Sequence, residues 1–146
     1  MSGIGGVFGG MDISVSALQA QRRRMDVIAS NLANAQSTST PQGGPYVRQQ
    51  VVFQAVLNEA QNGNPASADP GGVRVLGTVA DTRPPIKVHM PGHRDADANG
   101  DVLMPDVRPA EELADLLSAA RSYEANAAAF KITRGLYQHA LELGRA

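Results

Sequence analysis

Cysteine and tryptophan are absent from the 146-residue chain, and Phe and Tyr supply only three residues each. Without cysteine there is no disulfide, no thiolate metal site and no cysteine nucleophile. The absence leaves the cellular compartment open. Bulky apolar residues are also scarce. Leu, Ile, Val and Phe together make about 22% of the chain, near the level at which a packed core is hard to build. The 42% hydrophobic fraction is swollen by 22 alanines. A self-contained core is therefore thin, and the chain is expected to bury surface against other chains. There is no excess of charge either: 13 basic and 14 acidic side chains give a formal net charge of -1. No one-sign field is present to attract nucleic acid or anionic lipid. No apolar run has the length of a membrane span. The first residues lack the basic-then-apolar pattern of a secretory signal peptide, so none is expected.

What is present is helical periodicity at both ends. Residues 1–11 hold five glycines and are expected to be flexible, because glycine loses the most backbone entropy on ordering. From about Asp12 to Ala35 the spacing predicts a helix, with Asp12 or Ser14 as its cap. Met11, Leu18, Met25 and Leu32 recur every seven residues, with Ser14, Gln21, Ile28 and Ala35 as a companion series. Arg22, Arg23 and Asp26 occupy the opposite face. The run Gln36-Ser37-Thr38-Ser39-Thr40-Pro41 ends the helix. A second helix is predicted from Pro109 to about Leu143. Pro109 suits its first turn, and Glu111, Glu112 and Asp115 suit the positive end of its dipole. Its series are Leu113, Ala120, Ala127, Arg134 and Leu141, and Leu116, Tyr123, Phe130, Tyr137 and Gly144.

Between the helices the pattern changes to alternation. Tyr46 to Leu57, Val73 to Val79 and Ile86 to Met90 read as strands. Asn58 to Gly72 reads as a linker. The predicted architecture is mainly α with a small β region. Long terminal helices (12–40 and 105–146) pair as an antiparallel coiled-coil-like domain, and residues 41–104 form short strands and loops with the linker near 58–72. A two-helix hairpin with a small sheet buries little alone, so packing into an assembly is expected.

Few residues suggest chemistry. Asp95-Ala96-Asp97-Ala98-Asn99-Gly100-Asp101 matches the start of an EF-hand calcium loop. The twelfth position, however, is Asp106 rather than a bidentate Glu. Pro91 before the loop and Pro105 within it oppose the flanking helices, so a polar turn is the simpler reading. His89 and His93 are four apart, but on a strand and a turn rather than one helical face. No Ser lies in a nucleophile elbow and no glycine loop carries a phosphate-binding Lys. Neither a catalytic residue, a metal site nor a cofactor is assigned. Arg22, Arg23 and Arg24 read as a solvated face or as intersubunit contacts, since no basic stripe with interleaved aromatics points to nucleic acid.

Two segments carry a family resemblance. Met25-Asp26-Val27-Ile28-Ala29, Ser30-Asn31-Leu32-Ala33-Asn34 and then Thr40-Pro41-Gln42-Gly43-Gly44-Pro45-Tyr46 resemble the N-terminal signature of bacterial flagellar rod and hook proteins. Pro105-Asp106-Val107, Glu111-Glu112 and Ala120-Arg121-Ser122-Tyr123-Glu124-Ala125-Asn126 resemble their C-terminal signature, with Asp106 and Leu113 where the pattern has Asn and Met. The turn at Thr40 to Tyr46 is more similar to a rod component than to other axial proteins. The resemblance implies a structural subunit of the proximal rod in the flagellar basal body. Its partners would be other rod proteins, copies of itself and the flagellar type III export apparatus, with no nucleic acid and no small-molecule substrate. It implies a periplasmic location reached without a cleaved signal peptide. Leu18, Met25, Ile28, Leu32, Leu113, Leu116, Ala120, Tyr123, Ala127, Phe130, Tyr137 and Leu141 would form the helix–helix and subunit packing. Asn31 and Asn34 would fasten the turn after the first helix, and Arg121, Glu124 and Asn126 would act as polar fasteners. The competing readings are a calcium-binding module, a small enzyme, and a different axial protein.

Overall fold

The computed structural model describes residues 3–56 and 71–144, with side chains from Gly9 onward. The expected linker, apart from its last two glycines, lies outside the described residues, as does the start of the glycine-rich segment. The elements run α1 (Gly3–Ala33), β1 (Gln49–Val56), β2 (Gly72–Ala80), β3 (Ile86–His89), β4 (Asp101–Met104) and α2 (Pro109–Leu143). β1 pairs with β2, and β3 with β4. The chain divides into two compact units. One comprises Met1–Arg23, Phe53–Leu76 and Ala119–Ala146, the other Arg24–Val52 and Gly77–Ser118.

In the second unit α1 and α2 are antiparallel neighbours. Asn31 meets Glu112 and Arg24 meets Asp115, so positions rise on one helix as they fall on the other. Val27, Ile28, Val102 and Val107 form its apolar core. The β3–β4 hairpin sets Val88 opposite Val102 and Lys87 opposite Leu103. Alternation sends the first pair inward, where Val102 is 1% exposed, and leaves Leu103 at 44% on the outer face. In the first unit Ser16 ties α1 to β2: its hydroxyl donates to the Ile13 carbonyl at 2.8 Å and accepts from the Val73 N–H at 3.1 Å. Ala20 and Ala119 are buried there.

Three local outcomes differ from the sequence pattern. α1 begins at Gly3, ahead of the Asp12 or Ser14 start. Gly10 lies where an added Cβ would sit 3.8 Å from the Thr133 methyl. That is ordinary van der Waals distance, so α1 runs beside α2 here, and the helix forms despite glycine's low helix propensity. The helix ends at Ala33, because the Asn34 side chain takes the Ser30 carbonyl at 2.9 Å and favours a turn. A fourth strand, Asp101–Met104, follows the Asp-rich turn, where Val102-Leu103-Met104 shows no polar–apolar alternation.

Candidate functional site

The most constrained side chains belong to a buried polar clasp within the second unit. Its centre is Asn31, in the last turn of α1 and 1% exposed. The side-chain amide donates to the Gln49 carbonyl at 2.9 Å and to Glu112 Oε2 at 3.1 Å. Its oxygen accepts the Gln49 N–H and the Tyr46 hydroxyl, each at 2.9 Å. Two donors and two acceptors are all it has, and all are used. Towards Gln49 it makes the paired N–H and C=O bonds that a neighbouring strand would make, so it pins the start of β1 to α1.

The chain between Asn31 and Gln49 must double back for this to happen. The Thr40 N–H donates to the Gly44 carbonyl and the Gly43 N–H to the Thr40 carbonyl, both at 2.9 Å. Gly43 and Gly44 have φ of 88° and 73°. Two consecutive left-handed residues are cheap only for glycine. The Tyr46 N–H then donates to the Ser37 carbonyl at 2.9 Å, closing the loop.

Charge surrounds this centre. Glu112, one turn into α2, is 0% exposed. Arg48 Nε donates to Glu112 Oε1 at 2.6 Å, and its Nη1 to Asp81 Oδ2 at 3.3 Å. Burial pulls the Arg48 pKa down, but the bonds and charges of Glu112 and Asp81 outweigh it and raise the guanidinium above its ordinary value. Asp81 also accepts the Arg83 Nε at 3.0 Å and backbone N–H at 3.1 Å. These Arg83 bonds, first the side chain and then the backbone, lower the Asp81 carboxyl to about 2. Arg83 continues to Asp106 at 3.3 Å. The clasp thus joins α1, the start of β1, the end of β2 beside it and the approach to α2, with charges alternating along it. Each of these side chains is paired with another, an arrangement suited to fastening.

The other residues singled out by sequence take varied positions. Ile28 is buried, and Leu18, Met25, Leu32, Leu116, Ala120, Ala127, Phe130 and Tyr137 are half-buried. Leu113, Tyr123 and Leu141 are exposed in the single chain. On α2 the fully buried positions are Glu112 and Ala119, one residue before Leu113 and Ala120. The Asn34 oxygen accepts the Ser37 hydroxyl at 3.2 Å, so Asn34 holds the turn. Asn126 donates to the Ser122 carbonyl within its own helix, while Arg121 and Glu124 face outward. Arg24 pairs with Asp115, and Arg22 and Arg23 are exposed. In the Asp-rich turn Asp97 accepts the Asn99 and Asp101 N–H groups at 2.8 and 3.0 Å, and Asp95 accepts the Thr38 hydroxyl at 2.8 Å. Among the described residues no group of three His or acidic side chains is placed to hold a metal. No helix among them is long and apolar enough to cross a membrane. Tyr46 closes the signature turn at Thr40 to Tyr46, whereas Arg48, Asp81 and Arg83 carry no motif that sequence reasoning could isolate.

Comparison with known proteins defines the class. Residues 11–41 match the family model of flagella basal body rod proteins. Residues 99–143 match the model for the C-terminal region of the flagellar basal body rod FlgEFG proteins. These two stretches hold both Asn31 and Glu112. The flagellar basal-body rod protein FlgC of Yersinia enterocolitica is 42% identical over 92% of this chain and 95% of its own length. FlgC of Bacillus subtilis is 39% identical over 94% and 98%, and that of Aquifex aeolicus 37% over 93% and 96%. The chain belongs to the FlgC family of flagellar basal-body rod proteins.

Proposed function

We propose that this chain is a structural subunit of the proximal rod of the bacterial flagellum, part of the shaft that carries torque to the hook and filament. The observation that carries the reading is the near-complete alignment with FlgC proteins, in which the two family segments contain both halves of the Asn31–Glu112 clasp. The mechanism is mechanical. The clasp keeps the start of β1 from swinging on the helices when the subunit is loaded. Leu113, Tyr123 and Leu141, with the exposed Leu117, Ile132 and Leu136, offer apolar surface that neighbouring axial subunits and further copies would cover. The two heptad series would then form a coiled-coil-like lining completed only on assembly. Passage through the flagellar type III apparatus into the periplasmic space, without a cleaved signal, completes the proposal.

The test is quantitative mass spectrometry of hook–basal bodies purified from the native host. A few copies of this chain per particle, retained after filament and hook are stripped, are expected. Particles that contain the other rod proteins but lack this chain would overturn the reading.

A further inference from the structure

We infer that Asn99 is a deamidation site gated by folding: the chain modifies itself there when the β3–β4 turn is open and is protected when the turn is closed. Asn99 precedes Gly100 and is exposed. In an open chain nothing on Gly100 shields its amide nitrogen, which attacks Asn99 Cγ. The N–Cγ bond forms, the Cγ–Nδ2 bond breaks, and Nδ2 leaves as ammonia with the Gly100 amide proton. Solvent water then opens the succinimide at either carbonyl, leaving aspartate or isoaspartate.

The folded turn obstructs that attack. The Gly100 N–H is engaged with the Asp97 carbonyl at 2.9 Å, and the Gly100 carbonyl accepts the Met90 N–H at 2.9 Å. Gly100 has φ of 78°, and even a Cβ added there would come within 3.0 Å of His89 Cε1 and Pro91 Cβ. The Asn99 N–H is held by Asp97 Oδ1 at 2.8 Å. Ring closure needs the Gly100 nitrogen to leave its bond and swing toward Cγ, which a residue fixed on both sides resists. Isoaspartate adds a methylene to the backbone at this point. The Asp97–Asp101 bond that closes the hairpin, 2.8 Å from the Asp97 N–H to the Asp101 carbonyl, cannot then re-form in register.

The experiment incubates the full chain at mildly alkaline pH in native buffer and in urea, then follows the tryptic peptide beginning at Asp95 by mass spectrometry. A second Asn-Gly pair, Asn62-Gly63, reports in the same digest whether the conditions support the reaction. Deamidation of Asn99 is expected at least about tenfold slower in native buffer than in urea, as for a group that reacts only through local opening. Asp97→Ala, which releases the Asn99 and Asp101 amides, should bring the native rate toward the urea rate while circular dichroism shows the helices intact. Equal native and urea rates in the parent chain would refute the gating. Reaction at Asn62 but not at Asn99 in urea would refute the site itself.

Discussion

Replacing Asn31 tests the clasp most directly. In Asn31→Ala the Gln49 N–H, the Gln49 carbonyl, the Tyr46 hydroxyl and Glu112 Oε2 each lose a partner. The Tyr46 hydroxyl can turn to solvent, and Glu112 keeps Arg48 on its other oxygen. Two or three buried groups are left to bear desolvation at roughly 1 kcal/mol or more each, which gives a loss of about 3 kcal/mol. Asn31→Asp preserves shape but reverses the amide's role. A carboxylate oxygen would replace a donor 2.9 Å from the Gln49 carbonyl and 3.1 Å from Glu112 Oε2. Like charges at that separation repel by several kcal/mol even at the moderate effective dielectric of a protein. The isosteric variant should therefore be the less stable of the two at neutral pH. Urea midpoints by far-ultraviolet circular dichroism give the order. Amide exchange at Gln49, the N–H that Asn31 holds, gives the local effect and should accelerate roughly a hundredfold in Asn31→Ala. An Asn31→Asp protein as stable as Asn31→Ala, or unchanged Gln49 exchange in Asn31→Ala, would refute the reasoning.

Other perturbations follow from the same geometry. Arg48→Met leaves Glu112 buried without its cation and should cost about 3–5 kcal/mol, much of it recovered when Glu112→Gln is added; the comparison is a double-mutant cycle on urea midpoints. Acid should loosen the clasp in a defined window. The Asp81 carboxyl is lowered from 3.8 to about 2, so its contribution is complete above the ordinary carboxylate range and is lost as pH falls through 2. Asp81→Asn should flatten, without abolishing, the fall in urea midpoint between those values, since Asp95 and Asp97 are also lowered. An unchanged slope would show that Asp81 is not coupled to folding. Gly44→Ala meets no atom within 4 Å, so its cost is backbone strain alone, about 1 kcal/mol by thermal denaturation. Gly44→Asn should cost less, because Asn tolerates the left-handed region.

The helices and the first two strands were legible because each is long enough to repeat its period, and the four-residue β3 because Ile86 to Met90 alternates apolar with polar residues. Pro109 and the acidic first turn mark the start of α2, where it is observed. The helical start at Gly3 was hidden because local propensity argues against it. β4 was hidden because Val102-Leu103-Met104 does not alternate, and by the Asp-rich turn before it, whose carboxylates hold amides of the turn itself and the Thr38 hydroxyl. Of the clasp, Asn31 and Tyr46 were visible only through the family signature. Tyr46, Arg48, Asp81 and Arg83 are spread over 38 positions of sequence, and nothing short of the fold brings them together.

The second helix shows why polarity can misplace a buried face. Hydrophobic spacing favours the series through Leu113, Ala120 and Ala127, yet Glu112 and Ala119 are the fully buried positions, with Asn126 and Thr133 half-buried seven and fourteen residues further on. That inward series contains a charged residue, a methyl group, an amide and a hydroxyl, so hydropathy cannot detect it. Glu112 can occupy it because Arg48 and Asn31 satisfy its two oxygens. Ala119 can because it has almost no side chain to place. A face built from one compensated charge and small residues suits close packing and polar fastening. It leaves Leu113, one residue on, at 48% and Leu117 at 61% exposed, as apolar surface on the outside of the helix. The same one-residue displacement that hides Glu112 from a sequence pattern thus turns Leu113 outward, where a subunit meant for assembly would need apolar surface.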